Sequence, residues 1–376
     1  MVPALILQPE FWQAGSGWIA QPAPDDEGDA LAEFAQHELQ AGDWCWFQTS
    51  GSEGRRKWVG LTKESLLISA RAVNAHFHIT ARDHWLLALP IHHVGGFGVL
   101  ARSFVSGSQI THLEGKWDAA AFVRECSAVG ATLASLVPTQ VFDLVAAGLR
   151  APASLRVVLV GGGALNQALA EAALQLGWPL HRTYGMTETA SGVAAEPTPG
   201  ADMEVLPIWQ VQTDAEGVLT VSGAALAQGY ASCTSGTWRW EAIPAETGLR
   251  TRDHVEVIHN AAGKRCLRFL GRTSGTVKIL GELVALEPIQ DHLEALKLHL
   301  GLHAADAAVC DIADSRKESS LVLAVSQMSA DDAAQLQKSL NAKLRPFEHI
   351  HDVRVMTAIP RSELGKVRLA ELRALL

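Results

Sequence analysis

Between residue 44 and about residue 185, short apolar runs alternate with segments of helical period. The runs "WCWFQ", "HWLLALP", "SQITHL", "ATLASLVP" and "LRVVLVGGG" read as strands, and helices start from Thr62, Asp118 and Leu165 between several of them. This is the pattern of an α/β sheet with helices on its faces, in which sites lie in loops at the carboxyl ends of strands. From about 205 to 270 the texture changes to short extended pieces, "GVLTVSG", "GLRTRDHVEVIH" and "KRCLRFLG", separated by Gly, Asp and Asn. That predicts a β-rich subdomain. After "GRTSG" at 271 to 275 the α/β texture returns, with a helix from Glu287, a strand "SLVLAVS", a helix from Ala330 and a strand "HDVRVM". The predicted fold class is α/β: a large N-terminal domain of α/β sheets with the β-rich subdomain over 1–271, and a small α+β C-terminal domain over 272–376.

Length agrees with that division, since 376 residues exceed the roughly 250 to 300 at which a single core stops growing. With 48% hydrophobic and 19% charged residues the chain has ordinary globular composition. A net charge of -9 argues against a nucleic-acid partner, which calls for a concentrated basic face, so any bound anion must be held locally. The start "MVPALILQPEFW" has neither a basic leader nor a small-residue cleavage site, and no segment stays apolar for the ~18 residues of a membrane helix. A soluble cytoplasmic protein without membrane insertion is expected, and a homo-oligomer stays open. The five cysteines, Cys45, Cys126, Cys233, Cys266 and Cys310, are scattered without a C-x-x-C pair and read as reduced core thiols. Among eleven tryptophans, Trp44, Trp46, Trp58 and Trp85 fall near strands and read as core.

Candidate chemistry begins at "FQTSGSEGRRKWVG". Thr49, Ser50, Gly51, Ser52 and Gly54 follow a strand and precede Lys57. Glycines let backbone N–H groups turn toward an anion, hydroxyls add donors and the lysine adds charge. A Walker A loop cannot be laid on this stretch, and taken alone it is equally a basic surface turn. In "HRTYGMTETAS", Tyr184 offers an aromatic face, Thr187 a hydroxyl for a phosphate and Glu188 a carboxylate for Mg2+ among phosphate oxygens, against a plain polar loop. Asp253 in "RTRDHVEV" is an acceptor for ribose hydroxyls or a turn aspartate. Arg272 sits at the domain boundary, and Lys366 in "IPRSELGKVRLAEL" is a reactive cation or a helix-start lysine.

In order and spacing, these stretches resemble the adenylate-forming superfamily of acyl- and aryl-CoA ligases, luciferases and peptide-synthetase adenylation domains. That family shows T-S-G-[ST]-T-G-x-P-K, then Y-G-x-T-E, a ribose-binding aspartate, G-R-x-D at a hinge and G-K near the C-terminus; the likeness runs from about residue 47 to 370. The resemblance implies that Thr49 to Gly54 with Lys57 cradle the β- and γ-phosphates of ATP. It implies that Gly161, Gly162, Gly163 and Tyr184 line the adenine pocket, that Thr187 contacts the α-phosphate and that Glu188 binds magnesium. Asp253 and Arg272 are implied to hold the ribose, and Lys366 to neutralise charge developing during adenylation. The implied reaction has two steps, formation of an acyl-adenylate with release of pyrophosphate and then displacement of AMP by the thiol of coenzyme A. A mobile C-terminal lid rotates about Ser274 between them.

The segment "DHWLLALPIHHVGGFGVLARSFVSG" looks closest to the o-succinylbenzoate-CoA ligases of menaquinone and phylloquinone synthesis. That likeness places His93 and Gly95 near the acyl pocket, and Arg102 as partner of the carboxylate that is not activated, unless it is a solvated helix arginine. His92 beside His93 hints at a metal, but the sequence offers no matching ligand cluster. Several positions depart from the family. Glu53 replaces Thr or Ser, Arg56 replaces Pro, Ser274 and Gly275 replace acidic hinge residues, Gly95 stands where Ser is frequent, and only about 46 residues precede the phosphate loop. Another aryl or medium-chain acid, a carrier-protein thiol as acceptor, or a nucleotide-binding homologue without catalysis are the rival readings.

Overall fold

In the computed structural model, which describes residues 4–20, 26–50, 56–272, 276–280, 282–314, 316, 318–363 and 365–376, the apolar runs lie side by side as parallel strands. Their order is Gln109–His112, His84–Leu87, Leu133–Leu136, Val157–Val160 and Leu180–Tyr184. Leu133–Leu136 and Val157–Val160 are buried at every position because both sheet faces are covered, which is why they read as continuous apolar runs. On one face Trp85, Leu87, Leu133, Val157 and Leu159 pack with Leu66, Val73, Phe97 and Leu100 of the helices Lys63–His76 and Val94–Ser106. On the other, Leu86, Ala134, Leu136, Val158 and Val160 meet Phe122, Val141, Leu144 and Leu169 of the helices Ala119–Val129, Pro138–Ala146 and Gln167–Gln175.

The expected helix starts are capped as their sequences dictate. Thr62 accepts from the backbone N–H of Ser65 at 3.0 Å and Asp118 from that of Ala121 at 2.6 Å. The third helix begins two residues later than Leu165, because Asn166 supplies its cap.

Past Leu180–Tyr184 the sheet continues through Ala194–Ala195, Met203–Val205, Arg265–Arg272, Leu249–His259, Val218–Gly223 and Trp209–Thr213, so the β-rich region is joined to the parallel strands. Its hairpin Gly229–Thr234 and Thr237–Ala242 leaves to form a second sheet with Trp18–Ala20, Cys45–Ser50 and Arg56–Leu61. Trp46 and Trp58 fill the space under that sheet, and Trp85 is buried in the larger one. The strand Arg56–Leu61 is absent from the sequence reading. It pairs antiparallel with Cys45–Ser50, Ser50 opposite Arg56, so the phosphate-loop candidate connects two strands instead of leading directly into a helix.

C-terminal to residue 276, the strands Thr276–Ile279, Glu282–Ala285, Asp306–Asp314, Glu318–Ser326 and Asp352–Val355 make a third sheet. Leu286–His299 and Ala330–Asn341 cover one face and Leu369–Leu375 packs on the other, giving this part cores of its own. Cys45, Cys126, Cys266 and Cys310 are buried and all five cysteines are free thiols, but Cys233 is exposed on its hairpin and is no core residue. Among the described residues no helix is long and apolar enough to cross a membrane.

Candidate active site

Gly161, Gly162 and Gly163 directly follow Val160, and Gly185 follows Tyr184, so these segments leave the carboxyl ends of two adjacent parallel strands. At Gly161 the backbone passes so close to the neighbouring strand that a Cβ would stand 2.6 Å from Oγ1 of Thr183, which leaves glycine as the residue that fits.

The structure brings Tyr184, Asp253 and Arg272 together. Asp253 is 2% exposed, and a carboxylate this deep requires partners. The Tyr184 hydroxyl donates to its Oδ2 at 2.6 Å, and Nε of Arg272 donates to its Oδ1 at 2.7 Å. Antiparallel pairing makes the second contact local, since Asp253 and Arg272 face each other in register. Each carboxylate oxygen retains a second lone pair for a ligand hydroxyl. Burial, then the Asp253 charge, pushes the Tyr184 phenol above its ordinary range, so it stays a proton donor. Its ring lies 6.0 Å from that of Phe269, which extends the aromatic surface.

Thr187 and Glu188 occupy a 3-10 turn just past that strand. Behind it Ala190 and Ser191 both have left-handed φ, at 48° and 87°, a costly conformation for side-chain-bearing residues. The Ser69 hydroxyl holds it by donating to the Ala190 carbonyl at 2.8 Å. Glu188 Oε1 accepts from the Tyr230 hydroxyl at 3.0 Å, and Lys57 Nζ stands 5.0 Å from the centre of the Tyr230 ring. Lys57, on the strand Arg56–Leu61, also reaches Glu241 at 3.3 Å. The pair is 39% and 70% exposed, so solvent screens it and an arriving polyphosphate can displace it. Thr49 donates to the Lys57 carbonyl at 3.4 Å on the facing strand. Gly51, Ser52, Glu53, Gly54, Ser274 and Gly275 lie outside the described residues, as do the side chains of Ser50 and Arg56.

Tyr230 was missed by the sequence reading, although a signal existed. The chain has two tyrosines, Tyr184 and Tyr230, and both hydroxyls end on carboxylates of this site.

His93 precedes the helix Val94–Ser106, which carries Gly95 in its first turn and Arg102 in its second half. Arg102 is 5% exposed, so it is not a solvated helix arginine. Its Nη2 donates to Ser191 Oγ at 2.7 Å, its Nε has no acceptor, and among the described residues no carboxylate pairs with it. Burial lowers its pKa to about 10, which leaves a charged guanidinium near neutrality without a counter-ion. Gly98 makes room for it: a Cβ there would lie 3.4 Å from Nη2 and 3.1 Å from Ser191 Oγ. Ser191 and Gly98 were also unassigned from sequence.

Lys366 does not start a helix; that begins at Leu369. It lies in a hairpin closed by the Arg361–Val367 bridge and by the Ser362 N–H donating to the Lys366 carbonyl at 2.8 Å. Its ammonium is lowered in pKa by desolvation and then by Arg272, against the pull of Glu287 and Asp253. The side chain is exposed to solvent, yet lies close enough to the Asp253–Arg272 pair to feel both charges. The fold also supplies what the sequence lacked beside His92 and His93. Glu363 Oε2 is 2.5 Å from His92 Nε2 and 3.7 Å from His93 Nε2. Burial, with His92 and Lys366 adding to it, pushes His93 down to about 4, so its ring is neutral near pH 7.

The fold thus gathers glycine loops at strand ends, the Tyr184–Asp253–Arg272 set and Lys366 from the C-terminal hairpin into one region. The AMP-binding enzyme family matches residues 16–231, and the chain belongs to that family. The probable 2-succinylbenzoate-CoA ligase of Mycobacterium tuberculosis is 30% identical over 344 residues, covering 86% of this chain and 82% of that protein. The 2-succinylbenzoate-CoA ligase of Bacillus cereus is 27% identical over 366 residues, covering 94% and 73%. The o-succinylbenzoate CoA synthetase of Bacillus subtilis, in complex with the acyl-adenylate intermediate, superposes with a TM-score of 0.73 at 23% identity over 88% of this chain and 68% of that one. The same enzyme in complex with ATP and magnesium ion gives 0.71 at 23% identity over 87% and 69%. These likenesses establish the fold.

Proposed function

We propose that the chain is an AMP-forming acid-thiol ligase whose acid is o-succinylbenzoate and whose thiol is coenzyme A, acting in menaquinone or phylloquinone synthesis. The observation that carries the choice of acid is Arg102, a buried cation with an unused Nε donor and no carboxylate partner among the described residues. A dicarboxylic acid that leaves one carboxylate unreacted supplies the missing charge, and the guanidinium meets it with fixed, charge-assisted donors.

In the first half-reaction an oxygen of the succinyl carboxylate attacks the α-phosphorus of ATP, the bond to the pyrophosphate oxygen breaks, and an acyl-adenylate results. Asp253 and Arg272 orient the ribose, Tyr184 and the Gly161–Gly163 backbone border the base, and Thr187 meets the α-phosphate. Lys57 and the 49–54 segment take the β- and γ-phosphates. Lys366 answers the charge that grows on the transferring group. Glu188 beside Lys57 fits magnesium, a cation that keeps several waters and takes one or two carboxylates plus phosphate oxygens; it supplies neutralisation of the triphosphate. In the second half-reaction the thiolate sulfur attacks the acyl carbonyl and AMP leaves. Rotation of residues 272–376 about Ser274 removes Lys366 and opens the thiol path. Neutral His93, with Gly95, borders the acyl group. The cytoplasm, where ATP and coenzyme A are both available, is the compartment proposed for it.

The reading is tested by pyrophosphate release with o-succinylbenzoate, benzoate or a medium-chain fatty acid, followed by mass identification of the thioester. Succinylbenzoyl-CoA is expected in clear preference; equal turnover of benzoate removes the assignment of Arg102. Tyr230→Phe tests the magnesium site, because it deletes one hydroxyl from Glu188 and leaves the ring beneath Lys57. The Mg2+ concentration for half-maximal activity is expected to rise about tenfold with little change in KM for the acid. An unaltered magnesium titration would make the Tyr230–Glu188 contact structural.

A further inference from the structure

Glu363 and Lys366 share one hairpin, and that hairpin is fixed to its own sheet. The Arg361 guanidinium grips Asp306, Nη2 to Oδ1 at 2.6 Å and Nε to Oδ2 at 2.9 Å, while its Nη1 donates to the Gly365 carbonyl at 2.7 Å. Where the hairpin goes, Lys366 goes.

Among the described residues of its tip, Gly365 and Glu363 both meet the large N-terminal part. Gly365, at a φ of 74°, backs so closely on Thr139 that a Cβ would stand 2.5 Å from the threonine Cγ2. Glu363 Oε2 lies 2.5 Å from His92 Nε2, the shortest polar contact of that ring, whose other neighbour is His93 at 4.5 Å between ring centres. Two donors on one tetrahedral metal ion at ~2.0–2.1 Å stand about 3.3 Å apart, so a 2.5 Å separation is that of a hydrogen bond and not of a shared ion. Both docking contacts form in the arrangement that also brings Lys366 within the fields of Asp253, Arg272 and His93.

The geometry points to His92 as a positioning residue for adenylation: by holding Glu363 it docks the Lys366 hairpin against the large domain in the acid-activating orientation. This rests on the reading of Lys366 as the adenylation lysine. The contact is one hydrogen bond, with His93 Nε2 a further 3.7 Å from the same oxygen and Glu363 54% exposed, so it biases the domain equilibrium without locking it, and the lid remains free to rotate for thiolysis.

Both half-reactions are measured for His92→Ala, Glu363→Ala, the double variant and His92→Gln, with Lys366→Ala alongside. Single-turnover pyrophosphate release without coenzyme A reports adenylation, and thiolysis is started from supplied acyl-adenylate. His92→Ala and Glu363→Ala are each expected to slow adenylation about tenfold, within the usual range of coupling between sites, and to leave thiolysis within about twofold. The double variant is expected to be no slower than either single one, since both remove the same contact. His92→Gln, whose amide N–H reaches the place of Nε2, is expected to recover most of the rate. Parallel loss of both half-reactions, or losses that multiply in the double variant, overturns the docking role. Full adenylation by Lys366→Ala overturns the underlying reading whatever His92 does, whereas loss in Lys366→Ala with none in His92→Ala removes the docking role alone.

Discussion

Lys366→Ala is expected to lower single-turnover pyrophosphate release about 100-fold or more, the usual cost of deleting one preorganised donor aimed at transition-state charge, and to leave thiolysis of supplied acyl-adenylate within a few-fold. The asymmetry follows from where the charge develops. Negative charge accumulates on the transferring phosphoryl group during adenylation, and Lys366 already stands near the Asp253–Arg272 pair expected to hold the ribose. In the mechanism proposed above, thiolysis uses the other lid orientation, from which this ammonium is gone. Desolvation and Arg272 lower the lysine's pKa, so raising the pH through a value below the ordinary ~10.4 of lysine removes the cation. Adenylation in the wild type should therefore fall on the alkaline side, and this limb should be missing from thiolysis. Equal loss of both half-reactions in Lys366→Ala sinks the assigned role.

Much of this site was legible because its parts are local in sequence. Tyr184, Thr187 and Glu188 fall within five positions at a strand end, and Asp253 and Arg272 lie on adjoining antiparallel strands that a short turn joins. What escaped was tertiary. Tyr230 is 42 positions from Glu188, and Glu363 is 271 from His92, so no spacing rule connects them. The strand Arg56–Leu61 was hidden by its basic start, which reads as a surface turn, and pairing with Cys45–Ser50 overrides that local preference. The helix Val94–Ser106 carries Gly95, Gly96 and Gly98 in its first turns, residues that weaken any helical signal. Gly96 cannot hold a Cβ, which would fall 2.2 Å from the Pro90 carbonyl oxygen, and Gly98 leaves space for Arg102. Close packing at this helix selected glycine over helix propensity. That same packing decides for burial at Arg102, which the sequence left open between a carboxylate partner and a solvated helix arginine.

Arg102→Ala is expected to raise KM for o-succinylbenzoate at least about 100-fold while KM for ATP changes by less than about threefold. Truncating one member of a buried ion pair costs about 3–5 kcal/mol because the other charge remains unpaired, and each 1.4 kcal/mol is about tenfold in affinity. In the acid-free protein the balance reverses. There the guanidinium is buried against Ser191 with Nε unsatisfied and no carboxylate beside it among the described residues, so it costs stability. Arg102→Met, which restores apolar volume without charge, is therefore expected to keep or raise Tm while losing the acid as Arg102→Ala does, the exchange of stability for function common at binding sites. Arg102→Lys retains charge but not the planar fork and should recover part of the affinity. Ser191→Ala, which removes a neutral partner worth about 1 kcal/mol, should raise KM for the acid only about fivefold. An Arg102→Ala enzyme with unchanged KM for the acid returns Arg102 to a structural part and detaches the second carboxylate from this helix.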